Sequence, residues 1–230
     1  MSRNTSRFSP LRFILALLLV VVLAAGAFGG YLYYCAGQVG EHFRQAQNSY
    51  DQCLTLFDTQ DFDGALSSMR SASEEVALAK HGLEGWQWDI AAQLPVISQD
   101  VTCAREAADI SDSLTNQAMM PMLSRVEEMV ALANSDDPLS VLGKIGDLYG
   151  DITTARGIVS DCKTRAYSMG TSHFDGVNEL VSTVRQATTD ADDAFESIDP
   201  LLDAINGLGA LAEGIGSALT APVDTGTTSA

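Results

Sequence analysis

The sequence predicts an all-α fold: an N-terminal transmembrane helix followed by an extracytoplasmic array of about five long antiparallel helices, packed as an up-and-down, coiled-coil-like bundle. Three observations carry this. Apolar residues recur at alternating steps of three and four over five successive segments, an average of 3.5 that suits helices packed lengthwise in a left-handed supercoil. Aromatic residues make up only 7% of the 230 positions, and no segment sustains the period of two that a strand demands, so no sheet is expected. Residues 13–34 contain no charged side chain, and about 20 apolar residues are enough to cross a bilayer core.

The amino end sets the topology. Arg3, Arg7 and Arg12 precede the run and no acid accompanies them, so the positive-inside rule places residues 1–12 in the cytoplasm and everything after residue 34 outside. Tyr31, Tyr33 and Tyr34 close the run as an interfacial aromatic belt. Ala25-Gly26-Ala27 resembles a signal-peptidase site, the alternative being a cleaved leader and a secreted bundle. The apolar run continues past that site to the tyrosines, which favours an uncleaved signal anchor. A lipid-modified cysteine is disfavoured because bulky Tyr34 precedes Cys35.

Five helical segments follow within residues 35–207. The first has its seam at Phe43, Ala46, Tyr50, Cys53 and Phe57. The second runs Ala65, Met69, Ala72, Val76, Ala79, Leu83, Trp86, Ile90. The third gives Val101, Ala104, Ala108, Ser111, Leu114 and, past a shift, Met122, Val126 and Met129. Ile145, Leu148, Ile152, Ala155, Val159, Cys162 and Ala166 form the fourth. The fifth steps from Val177 through Leu180, Val184, Ala187, Ala191, Ala194, Ile198 and Leu201 to Ile205. Asp61 and Asp63 can cap the second segment, and Pro95 ends it as a structural hinge, because the residue before proline is pushed out of helical geometry. Ser98 with Asp100 starts the third. Ser135-Asp136-Asp137-Pro138 and Gly170-Thr171-Ser172 are the next breaks, short enough to join antiparallel neighbours. Pro121, a second hinge, and Pro200 fall inside helical patterns and should kink them. Residues 208–230 read as a Gly-rich weak helix and a disordered tail.

Charge narrows the partners. The chain carries 13 basic and 30 acidic residues, a formal charge of −17, which excludes a nucleic-acid backbone as partner. Three arginines lie at or before Arg12 and every acid lies at or after Glu41, so the outer part holds 10 minus 30, or −20. That surface is soluble and repelled by anionic headgroups. The acidic cluster Asp190, Asp192, Asp193 and Glu196 reads as a solvated helix face.

The sequence carries no complete motif for catalytic, cofactor or metal chemistry. In Asp58-Thr59-Gln60-Asp61-Phe62-Asp63-Gly64, placing Gly64 at the sixth position of a calcium loop puts Arg70 at the twelfth, where a carboxylate is required. A helix cap explains the segment better. His42, His81 and His173 have no helical partner four residues away and no cysteine pair at zinc spacing. No nucleophile elbow, phosphate-binding glycine loop or zinc-protease helix occurs. Neither enzyme activity nor a cofactor is therefore expected. Counting heights along antiparallel helices brings Cys103 and Cys162 to similar levels, the best disulfide pairing among four cysteines in an oxidising compartment. Cys35, the odd thiol, is placed to bridge two copies and make a homo-oligomer. The anchor's Gly26-x-x-x-Gly30 motif lies about 180° around the helix from it, so the two features do not mark one dimer face.

The order of anchor, helical hairpin, Trp86-Gln87-Trp88, Leu94-Pro95-Val96-Ile97, an Ala-rich helix and Met120-Pro121-Met122 resembles the N-terminal helical region of an uncharacterised family of single-pass actinobacterial envelope proteins. Members of that family often have Gly where Ser98 stands and usually continue into a further extracellular globular domain that has no counterpart here. The resemblance implies topology and fold, not an activity. The expected role is that of a membrane-tethered helical scaffold or interaction module meeting an unidentified envelope protein. The alternatives are a ligand-sensing ectodomain that signals through a separate partner and a secreted bundle.

Overall fold

The computed structural model describes residues 10–125 and 138–197. Among the described residues every regular element is a helix. The first, α1, runs unbroken from Pro10 to Asp58, 49 residues, or about 73 Å at 1.5 Å per residue. Proline at its first position is suited to that place, since its missing N–H would have no helical partner there. Residues 13–34 therefore share one helical backbone with the first segment of the bundle. Among the described residues no helix is long and apolar enough to cross a membrane. The side chains of residues 10–18 and 21 are not among those described, and the transmembrane helix expected over 13–34 is not shown by the rest.

α1 ends in a paired turn. Asp61 N–H donates to Leu56 O at 2.9 Å and Gln60 N–H to Phe57 O at 3.0 Å, with Gln60 in the left-handed region at φ 64°. These are the two bonds by which a left-handed residue closes a helix C-terminus. Asp61 then caps α2 (Phe62–Leu83), accepting from Gly64 N–H at 3.0 Å. The seven residues from Asp58 are thus a helix-to-helix turn, as the failed calcium spacing implies. α2 returns along α1, burying Ala65, Met69, Ala72, Val76, Ala79 and Leu83 on the spacing the sequence gives. A Cβ on Gly82 would stand 2.9 Å from Val39 Cγ2, so glycine lets the two helices approach here.

The second segment is not one helix to Ile90. α2 stops at Leu83, Gly85 turns extended (φ −67°, ψ 151°), and a separate α3 covers Trp86–Ala92. The last carbonyls of α2 lose their helical donors at such an end, and two side chains supply them. The Trp88 indole N–H donates to Gly82 O at 2.7 Å, and Arg105 Nε donates to Leu83 O at 3.1 Å. The turn also reorients the seam: Trp86 and Ile90, expected in the core, are 62% and 44% exposed. Pro95 sits in the turn of residues 93–97 that leads to α4 (Ser98–Asp112).

α4 continues into a π-helical segment, Ser113–Met119, and residues 120–125 resume the α-helix. This wider winding is the physical cause of the shift between Leu114 and Met122. Met120 N–H reaches Thr115 O, five residues back. Pro121 follows directly, and a proline ring in an α-helix collides with the carbonyl four residues earlier. A π segment just before it enlarges that turn, so the helix carries through Pro121. α5 (Pro138–Ser168) and α6 (Asp175–Ser197) complete the described fold.

The α4–π rod is central, touching α2 and α3 on one side and α5 and α6 on the other. Ile110, Val159, Cys162 and Ala166, each fully buried, lie where α4, α5 and α6 meet. In α6 Val184 and Ala191 are buried as the seam predicts, but at the alternate steps the buried positions shift by one to Val181, Thr188 and Phe195; Thr188 Oγ1 donates to Arg185 O at 3.0 Å, which satisfies the hydroxyl. Arg3 and Arg7, the residues 135–137 of the linker, the Pro200 kink and the tail at 208–230 lie outside the described residues.

Lys80 ties α2 to the rod, reaching Asp112 at 2.8 Å and Asp109 at 3.0 Å. Hydrogen bonds to Asp112 and then Asp109 push its ammonium up to about 12. Burial pushes the Asp112 carboxyl upward, but its hydrogen bonds from Lys80 and Asn116 outweigh this and leave it below the usual carboxylate value. A raised lysine pKa contributes stability that is complete below its unfolded value and lost as pH climbs through the folded one. The lowered Asp112 contributes above its unfolded value and fades as pH falls through the folded one. Lys80→Met should therefore cost about 1 kcal/mol at pH 7, a magnitude discounted because the side chain is about a third exposed. The deficit should shrink at about pH 11.5, which urea unfolding of the wild-type and variant chains at both pH values will measure.

Candidate functional site

The sequence-predicted site residues separate into distinct places. Tyr31, Tyr33 and Tyr34 stand on α1 just before it enters the bundle, all exposed and Tyr33 the most, at 84%. The Tyr34 hydroxyl accepts from Gln38 Nε2 at 2.8 Å. Tyr31 stacks on Trp86 with ring centroids 6.4 Å apart and planes at 20°, and Phe28 meets the same indole at 6.3 Å. The structure thus brings Tyr31 together with Trp86, which the seam spacing placed in the core. The usable signal was Gly85, the glycine directly before Trp86-Gln87-Trp88, and the Leu94-Pro95 break soon after. Arg12 lies in α1, with its side chain outside those described.

Beneath this aromatic contact α1, α2 and α3 enclose an open cleft of about 240 Å³, lined by Tyr31, Cys35, His42, Leu78, His81 and Gln87 among others. Small-molecule sites usually span 300–1,000 Å³ and bury most of their ligand; this one is smaller and open. His42 Nδ1 meets Glu75 Oε2 at 2.7 Å, an interhelical pair containing no hydroxyl or thiol nucleophile. Among the described residues no group of three or more His, Cys, Asp or Glu could hold a metal ion.

Cys103 and Cys162 share one hydrophobic cluster, yet the expected bridge between them is absent and both are free thiols. The register explains why. Cys162 Sγ lies against Ile110 O and Cys103 Sγ against Gly170 O, so the two cysteines are offset by seven or eight residues along antiparallel helices. That is about 11 Å of rise, whereas a disulfide needs Cα atoms within about 7 Å. Burial pushes the Cys53 and Cys162 thiols up, which favours the protonated form over the nucleophilic thiolate.

One polar constellation was missed by sequence reasoning. Asp100, 3% exposed near the start of α4, accepts from Ser172 Oγ at 2.5 Å and His173 N–H at 2.6 Å through Oδ1. Its Oδ2 is buried without a hydrogen bond, with His173 Nδ1 3.5 Å away. Ser, His and Asp are all present, but the serine donates directly to the carboxylate, whereas a nucleophilic triad requires the imidazole between them. Asn178 holds the same turn from α6, exchanging hydrogen bonds with Ser172 N–H at 2.8 Å and Ser172 O at 2.9 Å. The arrangement fastens the α5–α6 turn to α4. An aspartate more than 70 positions before the adjacent Ser172 and His173 carries no spacing signal that could have announced it.

The acidic face of α6 is partly paired: Lys163 Nζ meets Asp192 at 2.7 Å and Gln186 donates to Asp190 at 2.6 Å. Comparison with known proteins finds no family model, no curated protein and no solved structure that matches the chain.

Proposed function

We propose that this chain is a membrane-tethered helical scaffold or interaction module of a bacterial cell envelope, its N-terminus cytoplasmic and its acidic bundle outside. One observation carries the reading. The uncharged run of residues 13–34, with arginines before it and tyrosines at its end, lies on the same helix that forms the first arm of the bundle. Such a run is long enough for a bilayer and its arginine flank sets the orientation. The motif resemblance to single-pass actinobacterial envelope proteins points the same way. Long, closely packed helices offer side-chain faces to another protein, and the partner proposed is an envelope protein or a second copy.

The test is the mass of the mature chain in membrane and medium fractions of its native host. A full-length chain that stays in the membrane after alkaline extraction, with its bundle open to protease only from outside, is the expected result. A chain beginning at Phe28 in the medium would overturn the tether and leave a secreted helical bundle. That second reading rests on Ala25-Gly26-Ala27, which has the small-residue pattern of a cleavage site.

A further inference from the structure

Much of the apolar surface of α3 and its following turn is exposed. Trp86 and Ile90 lie four positions apart, on one face of α3, and are exposed. Leu94 and Val96 extend the same patch past the helix end, Val96 at 71% exposure. The opposite face is fully used, with Gln87, Trp88 and Ala91 buried. Large apolar side chains exposed together on one side of a small helix mark a surface that something else covers.

The position of the patch identifies the cover. Trp86 packs on Phe28 and Tyr31, residues of the uncharged run, whose Leu32 also packs against the bundle core. Phe28 precedes Tyr34, the end of that run, by six residues, or about 9 Å of helix rise. If residues 13–34 cross a bilayer, whatever touches Phe28 from the side sits no farther out than the headgroup layer. Tryptophan and tyrosine prefer that layer because each has an apolar ring and a polar tip. The charges nearby fit as well. Asp89, on the same side of α3 as Trp86, is paired with Arg105 Nη2 at 2.8 Å, and Glu84 just before the turn meets His81 Nδ1 at 3.3 Å.

We propose that α3 and the turn through Val96 form a lipid seat: Trp86, Ile90, Leu94 and Val96 rest in the interfacial layer of the same outer leaflet from which α1 emerges. This rests on the tether reading. The bundle then stands on the membrane at two points instead of swinging from one helix.

The test uses the full chain reconstituted in phosphatidylcholine vesicles, zwitterionic so that the acidic bundle is not repelled. Bromine is placed on the acyl chains either near the headgroup or near the chain end. The chain has two tryptophans, and Trp88 is buried, so the wild-type emission minus that of Trp86→Phe reports Trp86. Bromine near the headgroup should quench this signal about twofold more than bromine near the chain end, with iodide in the water quenching it weakly. Val96→Asp, at an exposed position that folding does not depend on, should cut the bromine quenching about twofold. A chain that floats with the vesicles while Trp86 ignores bromine and yields to iodide overturns the seat and leaves the tether standing. Trp86 shielded from both quenchers in a floating chain also overturns it, in favour of a protein cover such as a second copy. A chain that fails to float overturns the tether, and the seat with it.

Discussion

Trp88→Ala should destabilise the chain by about 3–5 kcal/mol, the range for removing a large buried aromatic side chain. Trp88 does two things that alanine cannot. Its ring joins Val39, Leu83, Ala91 and Val101 in the cluster that packs α3 against α1, α2 and α4, and its indole N–H satisfies Gly82 O at 2.7 Å. Without it the end of α2 has an unpartnered carbonyl and α3 loses its buried face. Thermal unfolding of the full chain, followed by helical circular dichroism, should show a midpoint lower by about 10 °C for a chain of this size. Trp88→Phe separates the two roles, since it keeps most of the packing and removes only the donor; about 1 kcal/mol of loss is expected. Equal losses for both variants would show that the ring adds nothing beyond its hydrogen bond.

Asp100→Ala should cost about 2–4 kcal/mol, the penalty for removing one side of a buried charged hydrogen-bond network. The Ser172 hydroxyl and His173 N–H both lose their acceptor. Asp100→Asn retains an acceptor oxygen in the same place and should recover at least half of the loss. Hydrogen exchange gives the local readout: the His173 amide should lose protection in Asp100→Ala while amides in the middle of α1 and α2 keep theirs. A uniform loss of protection across the chain would contradict the local-fastening role.

The long elements were legible because their cores are continuous. Ala65 to Leu83 in α2 and Leu148 to Ala166 in α5 are buried on the positions their spacing gives, since a helix pressed along its length needs an apolar residue at every turn. Legibility failed where winding or direction changed. The π segment at Ser113–Met119 registers in the sequence only as a shift between two clean seams. The break at Gly85 left no mark on the spacing at all, because Trp86 and Ile90 continue the period of α2 while facing elsewhere. Periodicity describes one helix axis and cannot say that the axis has turned. The Cys103–Cys162 pairing failed for a related reason: heights counted from loops carry an error of a few residues per connection, and a disulfide tolerates less than two turns. The Asp100 fastening was invisible because its members are joined only by the fold.

The unbroken course of α1 has a mechanical consequence. From Tyr34 to Asp58 the helix adds 24 residues, or about 36 Å, with no joint in between. A stiff arm of that length magnifies rotation at its base, so a 10° tilt of residues 13–34 would carry the far hairpin turn sideways by about 6 Å. If Trp86, held against Phe28 and Tyr31 at the foot of the arm, rests in the leaflet as proposed, it would act as an outrigger against that sway. A face presented by the distal turn to a neighbour would then stay at a fixed stand-off and a fixed bearing, set by a small helix at the opposite end of the molecule.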